Sequence, residues 1–152
     1  MEKHFSHRVR DVISYSREEA IRLGHDYIGT EHLLLGILKE GEGVAVEILQ
    51  NLGCDLTKLK KAIEDTVRSA GGTLTAGGKL PLTKQADKVL KLTFLEAKML
   101  KVEVVRTEHL LLSLLRDTEN IAAQILNQGY SITYDGMRAE LDGIMSLSLI
   151  HI

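Results

Sequence analysis

Apolar residues in this chain recur at helical spacing, not at the alternation of strands. With Ser6 placed as a cap, Val9, Val12, Ile13, Ser16, Ala20 and Leu23 share one face and leave Arg8, Arg17 and Glu18 to water. Gly24 stops this first helix, and Gly29 ends a short turn. Thr30 is expected to cap a second helix with Glu31 in its first turn, where a carboxylate offsets the positive end of the helix dipole. Its stretch Leu33–Leu38 is apolar nearly all round, the mark of a buried helix. Gly41 and Gly43 break it. Val44, Ala45, Ile48, Leu49 and Leu52 form a short third helix ended by Gly53. A fourth starts at Asp55 or Thr57 and turns Leu56, Leu59, Ile63 and Val67 inward. Residues 71–79 carry four glycines and no periodicity, which reads as a flexible linker. Beyond Pro81, Thr83 caps a fifth helix with Ala86, Val89, Leu90, Phe94 and Ala97 inward. Thr107 caps a sixth, Ile121–Asn127 makes a seventh with Gly129 after it, and an eighth falls near Tyr134–Met145. Val102–Val105 is β-prone but short, and reads as an extended link.

The pattern occurs twice. Thr30-Glu31-His32-Leu33-Leu34-Leu35 returns as Thr107-Glu108-His109-Leu110-Leu111-Leu112, an offset of 77 residues. Val12, Glu19, Ala20 and Leu23 meet Val89, Glu96, Ala97 and Leu100, and no gap is needed between Phe5–Gln50 and Leu82–Asn127. A period this long indicates tandem duplication and not a solenoid. The expected fold is therefore all-α: two tandem four-helix repeats, at about 5–69 and 83–145, joined by a linker at 70–82. The two buried second helices imply that the copies pack on each other with pseudo-two-fold symmetry.

Composition narrows the function. A hydrophobic share of 44% suits a globular domain, and a net charge of −2 with no long basic run argues against nucleic acid as the main partner. The one cysteine, Cys54, has no base nearby, reads as a buried inert thiol and suits a reducing cytoplasm. No apolar run approaches the length of a membrane span. Met99 and Met145, at helix ends, read as packing residues. The last six residues, Leu147–Ile152, can be encoded by CTG-TCT-CTT-ATA-CAC-ATC, the string of a transposase-end adapter. The natural chain is accordingly expected to run on past about Ser146, with the domain occupying 1–146; the other reading of these residues is a short apolar tail packed on the body.

Catalytic patterns are weak. A phosphate-binding loop needs Gly, four residues, then Gly-Lys-Ser/Thr; here Gly78-Lys79 is followed by Leu80, and the first glycine is replaced by Thr73. No His-Glu-x-x-His pattern places two imidazoles on one helix face, so neither a metal nor a catalytic centre is expected. His32 and His109 read as structural imidazoles bonded to backbone near helix starts. Thr30-Glu31 and Thr107-Glu108 stand where free amides point outward. Such a start holds an anion on its amides and a cation on its carboxylate, or else serves only as capping and dipole compensation.

These residues also carry a family resemblance. Phe5-Ser6-His7-Arg8, Glu18–His25, Ile28–Leu38 and Lys39–Ala45 look like the first repeat of the Clp N-terminal domain, and Thr83–Gly129 looks like the second. The Gly-Glu-Gly and Gly-Thr-Glu-His variants resemble the ClpC-type branch of AAA+ unfoldases. The resemblance implies a non-catalytic docking domain for adaptor proteins and protein substrates. It would stand at the head of a hexameric cytoplasmic unfoldase that feeds a Clp peptidase, the isolated domain being a monomer. ATP and magnesium would belong to motor domains outside this chain. It further implies phosphoarginine reading at two pockets: Ser6, His7, Thr30 and Glu31 in the first copy, Thr83, Lys84, Thr107 and Glu108 in the second. Glu31 is expected at an exposed helix start beside Ser6 and His7. The second copy departs from the pattern. Arg106 replaces Gly29, and Lys101-Val102 replaces Gly24-His25, so Arg106 would repel a guanidinium or grip a phosphate. Two other readings remain: a stand-alone helical adaptor, and a nucleotide-dependent enzyme that the broken phosphate loop disfavours.

Overall fold

A computed structural model describes residues 4–68 and 80–150, with side chains as far as 146. It contains eight helices: α1 (His7–Arg22), α2 (Thr30–Glu40), α3 (Val44–Asn51), α4 (Leu56–Val67), α5 (Lys84–Met99), α6 (Thr107–Arg116), α7 (Ile121–Tyr130) and α8 (Tyr134–Ile150). Among the described residues there is no strand, only two isolated parallel bridges, Phe5 with Val105 and Ile28 with Leu82. The phosphate-loop comparison at Thr73–Leu80 falls almost wholly outside the described residues.

Side-chain caps start several helices. Ser6 Oγ accepts from the Val9 amide, Asp55 from Thr57 and Lys58, Thr83 from Ala86, and Asn120 from Ala123. Two expected caps shift by one residue. Gly29 and Arg106, not Thr30 and Thr107, are the N-caps of α2 and α6. The third helical residue does the capping: the Gly29 amide donates to His32 Nδ1 at 2.9 Å, and Arg106 to His109 Nδ1 at 2.8 Å. Both imidazoles are thus structural and backbone-bonded. Gly29 and Arg106 are extended, as an N-cap requires, leaving the threonines inside the helix.

Helix α7 runs past Gly129 to Tyr130. It ends at Ser131 (φ 56°), from which the Ile132 amide reaches back to the Leu126 carbonyl and buries Ile132. Helix α8 continues beyond Met145 into the suspected tail. Met99 and Met145 are exposed, against the packing role expected of them.

The core is shared between the copies. In α2, Thr30 through Ile37 are all buried, and α6 is buried from Thr107 through Leu115. Every contact across the repeats has its counterpart: α2 on α7 and α6 on α3, α2 on α5 and α6 on α1, α4 on α7 and α8 on α3. The chain starts are also exchanged. Ser6 donates its amide to the Val105 carbonyl and Val105 donates to His4; Ile28 donates to Pro81 and Thr83 donates to Ile28. Each repeat is completed by the first residues of the other.

Candidate functional site

That exchange regroups the predicted site residues. The amide bond from Ser6 to Val105 places Ser6 beside the start of α6, so it lines a cavity with Thr107 and Glu108 and not with Glu31. Likewise Thr83 stands against Ile28, beside the start of α2. His7 points to water and pairs with Asp11 at 3.6 Å, and Lys84 is exposed; neither lines the cavity. The cavity at the start of α6 is therefore composite, and the bond from Thr83 to Ile28 regroups the first-copy residues in the same sense. A repeat register equates positions between copies but does not say which copy's chain start lies on which helix.

The cavity measures about 330 Å³. Ser6 and Arg8 come from α1 and its cap, Glu42, Gly43 and Val44 from the start of α3, and Arg106, Thr107 and Glu108 from the start of α6. Three helix starts thus converge, bringing positive dipole ends together. Gly43 permits the approach, because a Cβ there would collide with the Thr107 hydroxyl. That hydroxyl accepts from the Ala45 amide at 3.3 Å. In the first copy Thr30 accepts in the same way from Ala122 at 3.4 Å. The threonines therefore serve the junction between repeats, with their oxygens turned inward (3% and 2% exposed for Thr107 and Thr30).

Neither glutamate is exposed as expected. Glu31 is 3% accessible and Glu108 7%. The Glu31 carboxylate lies over Gly29, where any side chain would clash, and the Tyr27 hydroxyl donates to it at 3.4 Å. Arg106 occupies the Gly29 position in the second copy, so Glu108 cannot fold back in the same way. It lines the open cavity, with no partner side chain within hydrogen-bonding distance among the described residues. Burial raises the Glu108 carboxyl above the usual carboxylate range, while its own backbone amide and the Arg106 charge pull the other way. Arg8 sits at the rim 3.5 Å from Glu40, and one of its buried terminal nitrogens lacks a hydrogen bond.

Sequence reasoning missed Arg8, Glu42 and Gly43 as pocket residues. It also missed Tyr27 and His25, which close the first-copy turn. Because His32 Nδ1 accepts from Gly29, its proton resides on Nε2 and is donated to His25 Nδ1 at 2.7 Å. Tyr27 stacks on His25 with ring centroids 5.3 Å apart. Val102 and Val104 replace these two residues in the second copy. Cys54 is buried and its thiol is pushed up to about 11, as an inert thiol requires. Among the described residues no cluster of three metal-ligating side chains occurs, and no helix is long and apolar enough to cross a membrane.

Eight helices in two interlocked repeats, with a composite cavity where three helix starts meet, define a duplicated helical domain. The chain belongs to the Clp repeat (R) N-terminal domain family, whose profile matches residues 4–129. It is 43% identical over 123 residues to the chaperone protein ClpB of Oceanobacillus iheyensis. It is 42% identical over 123 residues to the negative regulator of genetic competence ClpC/MecB of Bacillus subtilis. Each match covers 81% of this chain, which spans about 15% of the length of these curated relatives. In fold it resembles the N-terminal domain of the Arabidopsis thaliana caseinolytic protease associated chaperone ClpD. That likeness has a TM-score of 0.72 at 19% identity, over 95% of this chain and 96% of the other.

Proposed function

We propose that this chain is the substrate- and adaptor-docking domain of a ClpC-type, ATP-driven unfoldase. The whole protein would be a cytoplasmic hexamer that delivers clients to a Clp peptidase. The domain itself is read as non-catalytic, with ATP and magnesium held by the motor. The finer reading is that its composite pockets take phosphoarginine. It rests on Glu108, a buried carboxylate with no partner side chain, facing a cavity that also holds Arg8, Arg106 and the amides of three helix starts. A ligand carrying both a guanidinium and a phosphoryl group satisfies both kinds of charge. Glu31, closed over by Tyr27, makes the first-copy site the more occluded of the two.

The test is calorimetric titration of free phosphoarginine, and of a phosphoarginine peptide, into the wild type, Glu31→Ala and Glu108→Ala. A charge-assisted bond is worth about 1.5–3 kcal/mol, so each change should weaken its own site about ten- to hundredfold. Arg106→Gly should make the second pocket resemble the first. No heat with wild-type protein would remove the phosphoarginine reading and leave adaptor docking. Micromolar heat with ATP would overturn the non-catalytic reading.

A further inference from the structure

On a different surface, a wider groove of about 650 Å³ opens at the C-terminal end of α5. Its floor is apolar, made by Phe94, Ala97 and Val102. Phe94 stacks on the buried Phe5 ring (centroids 5.2 Å apart, planes at 14°), and His4 meets its edge at 5.9 Å. The floor is thus anchored to the core. Elsewhere on α5 and in the link after it, Leu95, Met99 and Val104 are 45%, 46% and 42% exposed. An apolar floor open to solvent is the kind of surface that marks a contact site.

The surrounding charge is mainly basic. Lys98 and Lys101 form the rim, against Glu103. Lys84, Lys88 and Lys91 extend the basic stripe along the exposed side of α5. Of the acids of that helix, Asp87 pairs with Lys91 at 2.8 Å and neutralises that part of the stripe, while Glu96 is buried against Arg116 and Tyr134. This basic face stands out on a chain of net charge −2. Lys101 is also strained. It has φ 60°, where the equivalent residue of the first copy is Gly24 with φ 76°. This left-handed residue closes α5, with the Val102 amide reaching back to the Ala97 carbonyl, and a glycine would hold the turn without penalty.

We infer that this groove docks an acidic amphipathic segment of a protein partner, with apolar anchors on Phe94 and Ala97 and carboxylates on Lys98 and Lys101. The inference rests on the docking role proposed above but uses a surface separate from the Glu108 cavity. The apolar floor of Phe94, Ala97 and Val102 suits an apolar side chain and not a phosphate backbone, which favours protein over nucleic acid.

Fluorescence anisotropy on the whole chain tests it with three probes. The first is a labelled helix-forming peptide of about 16 residues with Leu and Phe on one face and Glu on both flanks. The second is the same peptide with Lys for Glu, and the third an oligothymidylate of about 20 nucleotides. The acidic peptide should bind in the micromolar range, with the other two at least about tenfold weaker. Lys98→Glu with Lys101→Glu should weaken the acidic peptide at least about tenfold, with an unchanged far-UV spectrum. Lys101→Gly should raise Tm while weakening the peptide, a split that a purely structural lysine would not give. Glu108→Ala should leave peptide affinity intact, which separates this surface from the phosphoarginine reading. Equal affinity for the two peptides, no saturation below about 1 mM, tighter oligothymidylate binding, or an unchanged affinity in Lys101→Gly would overturn the inference.

Discussion

The hydroxyl of Thr30 accepts a hydrogen bond from the backbone amide of Ala122, 92 residues away and in the other repeat. Thr107 returns the same bond to Ala45. Both amides belong to first turns, α7 and α3, that have no partner within their own helix. Thr30→Val and Thr107→Val keep the shape but leave a buried N–H unsatisfied, at a cost of about 1–3 kcal/mol each. Thr→Ser keeps the oxygen and should cost less. Urea midpoints of the four variants check this.

Gly36 is packed where α1 crosses α2. A Cβ there would run into the Ser16 hydroxyl and the Val12 carbonyl, and the latter is backbone that cannot swing away. Helix propensity alone would favour Gly36→Ala by about 1 kcal/mol. Overpacking opposes it by about 1–3 kcal/mol, so the substitution should be net destabilising. Thermal unfolding of Gly36→Ala gives the sign directly.

Acid should loosen both repeats. Burial, followed by the neighbouring His25, lowers His32 to about 4, and burial with Arg106 lowers His109 to about 4. Each folded-state value lies below the unfolded one near 6.5, so the stabilisation is complete above about pH 6.5 and is lost as pH falls towards 4. A shift of this size corresponds to roughly 3 kcal/mol per histidine at the acid end. Protonation at Nδ1 also removes the acceptor of the Gly29 or Arg106 amide. Denaturant midpoints from pH 7 to 4 should fall steeply in the wild type and less steeply in His109→Asn.

Glu108→Gln separates stability from binding. Burial raises the Glu108 carboxyl, so its ionised form opposes folding above the unfolded-state range. Removing the charge should raise Tm at pH 7 while abolishing guanidinium recognition. Differential scanning fluorimetry alongside the phosphoarginine titration reads both.

Much of this was legible in the chain. The apolar girdle of Leu33–Leu38 and Leu110–Leu115 marked the buried helices, and Ser6, Asp55 and Thr83 marked helix starts because each hydroxyl or carboxylate has a free amide to serve. Thr30 misled because a threonine ahead of a helix reads as a cap, whereas His32, three residues after Gly29, takes that role and frees the hydroxyl for Ala122. Gly129 misled because a glycine is tolerated inside a helix when a later residue, here Ile132, has a core site to reach. The burial of Glu31 followed from Gly29, whose missing side chain leaves room for the carboxylate; spacing alone does not reveal it. Ser6 was assigned to the wrong glutamate because the bond from Ser6 to Val105 is long-range and leaves no periodic trace.

The exchanged chain starts have a consequence for descent. Duplication ordinarily leaves two sites free to drift apart, one conserving and one exploring. Here Arg8, encoded in the first half, walls a cavity whose glutamate, Glu108, is encoded in the second. Thr83 bonds to Ile28 across the halves as Ser6 bonds to Val105. A substitution in either half is felt at the other's pocket, and deletion of one half would remove part of both. The halves have still diverged, Gly29 in one and Arg106 in the other, but each remains dependent on the chain start that its twin supplies.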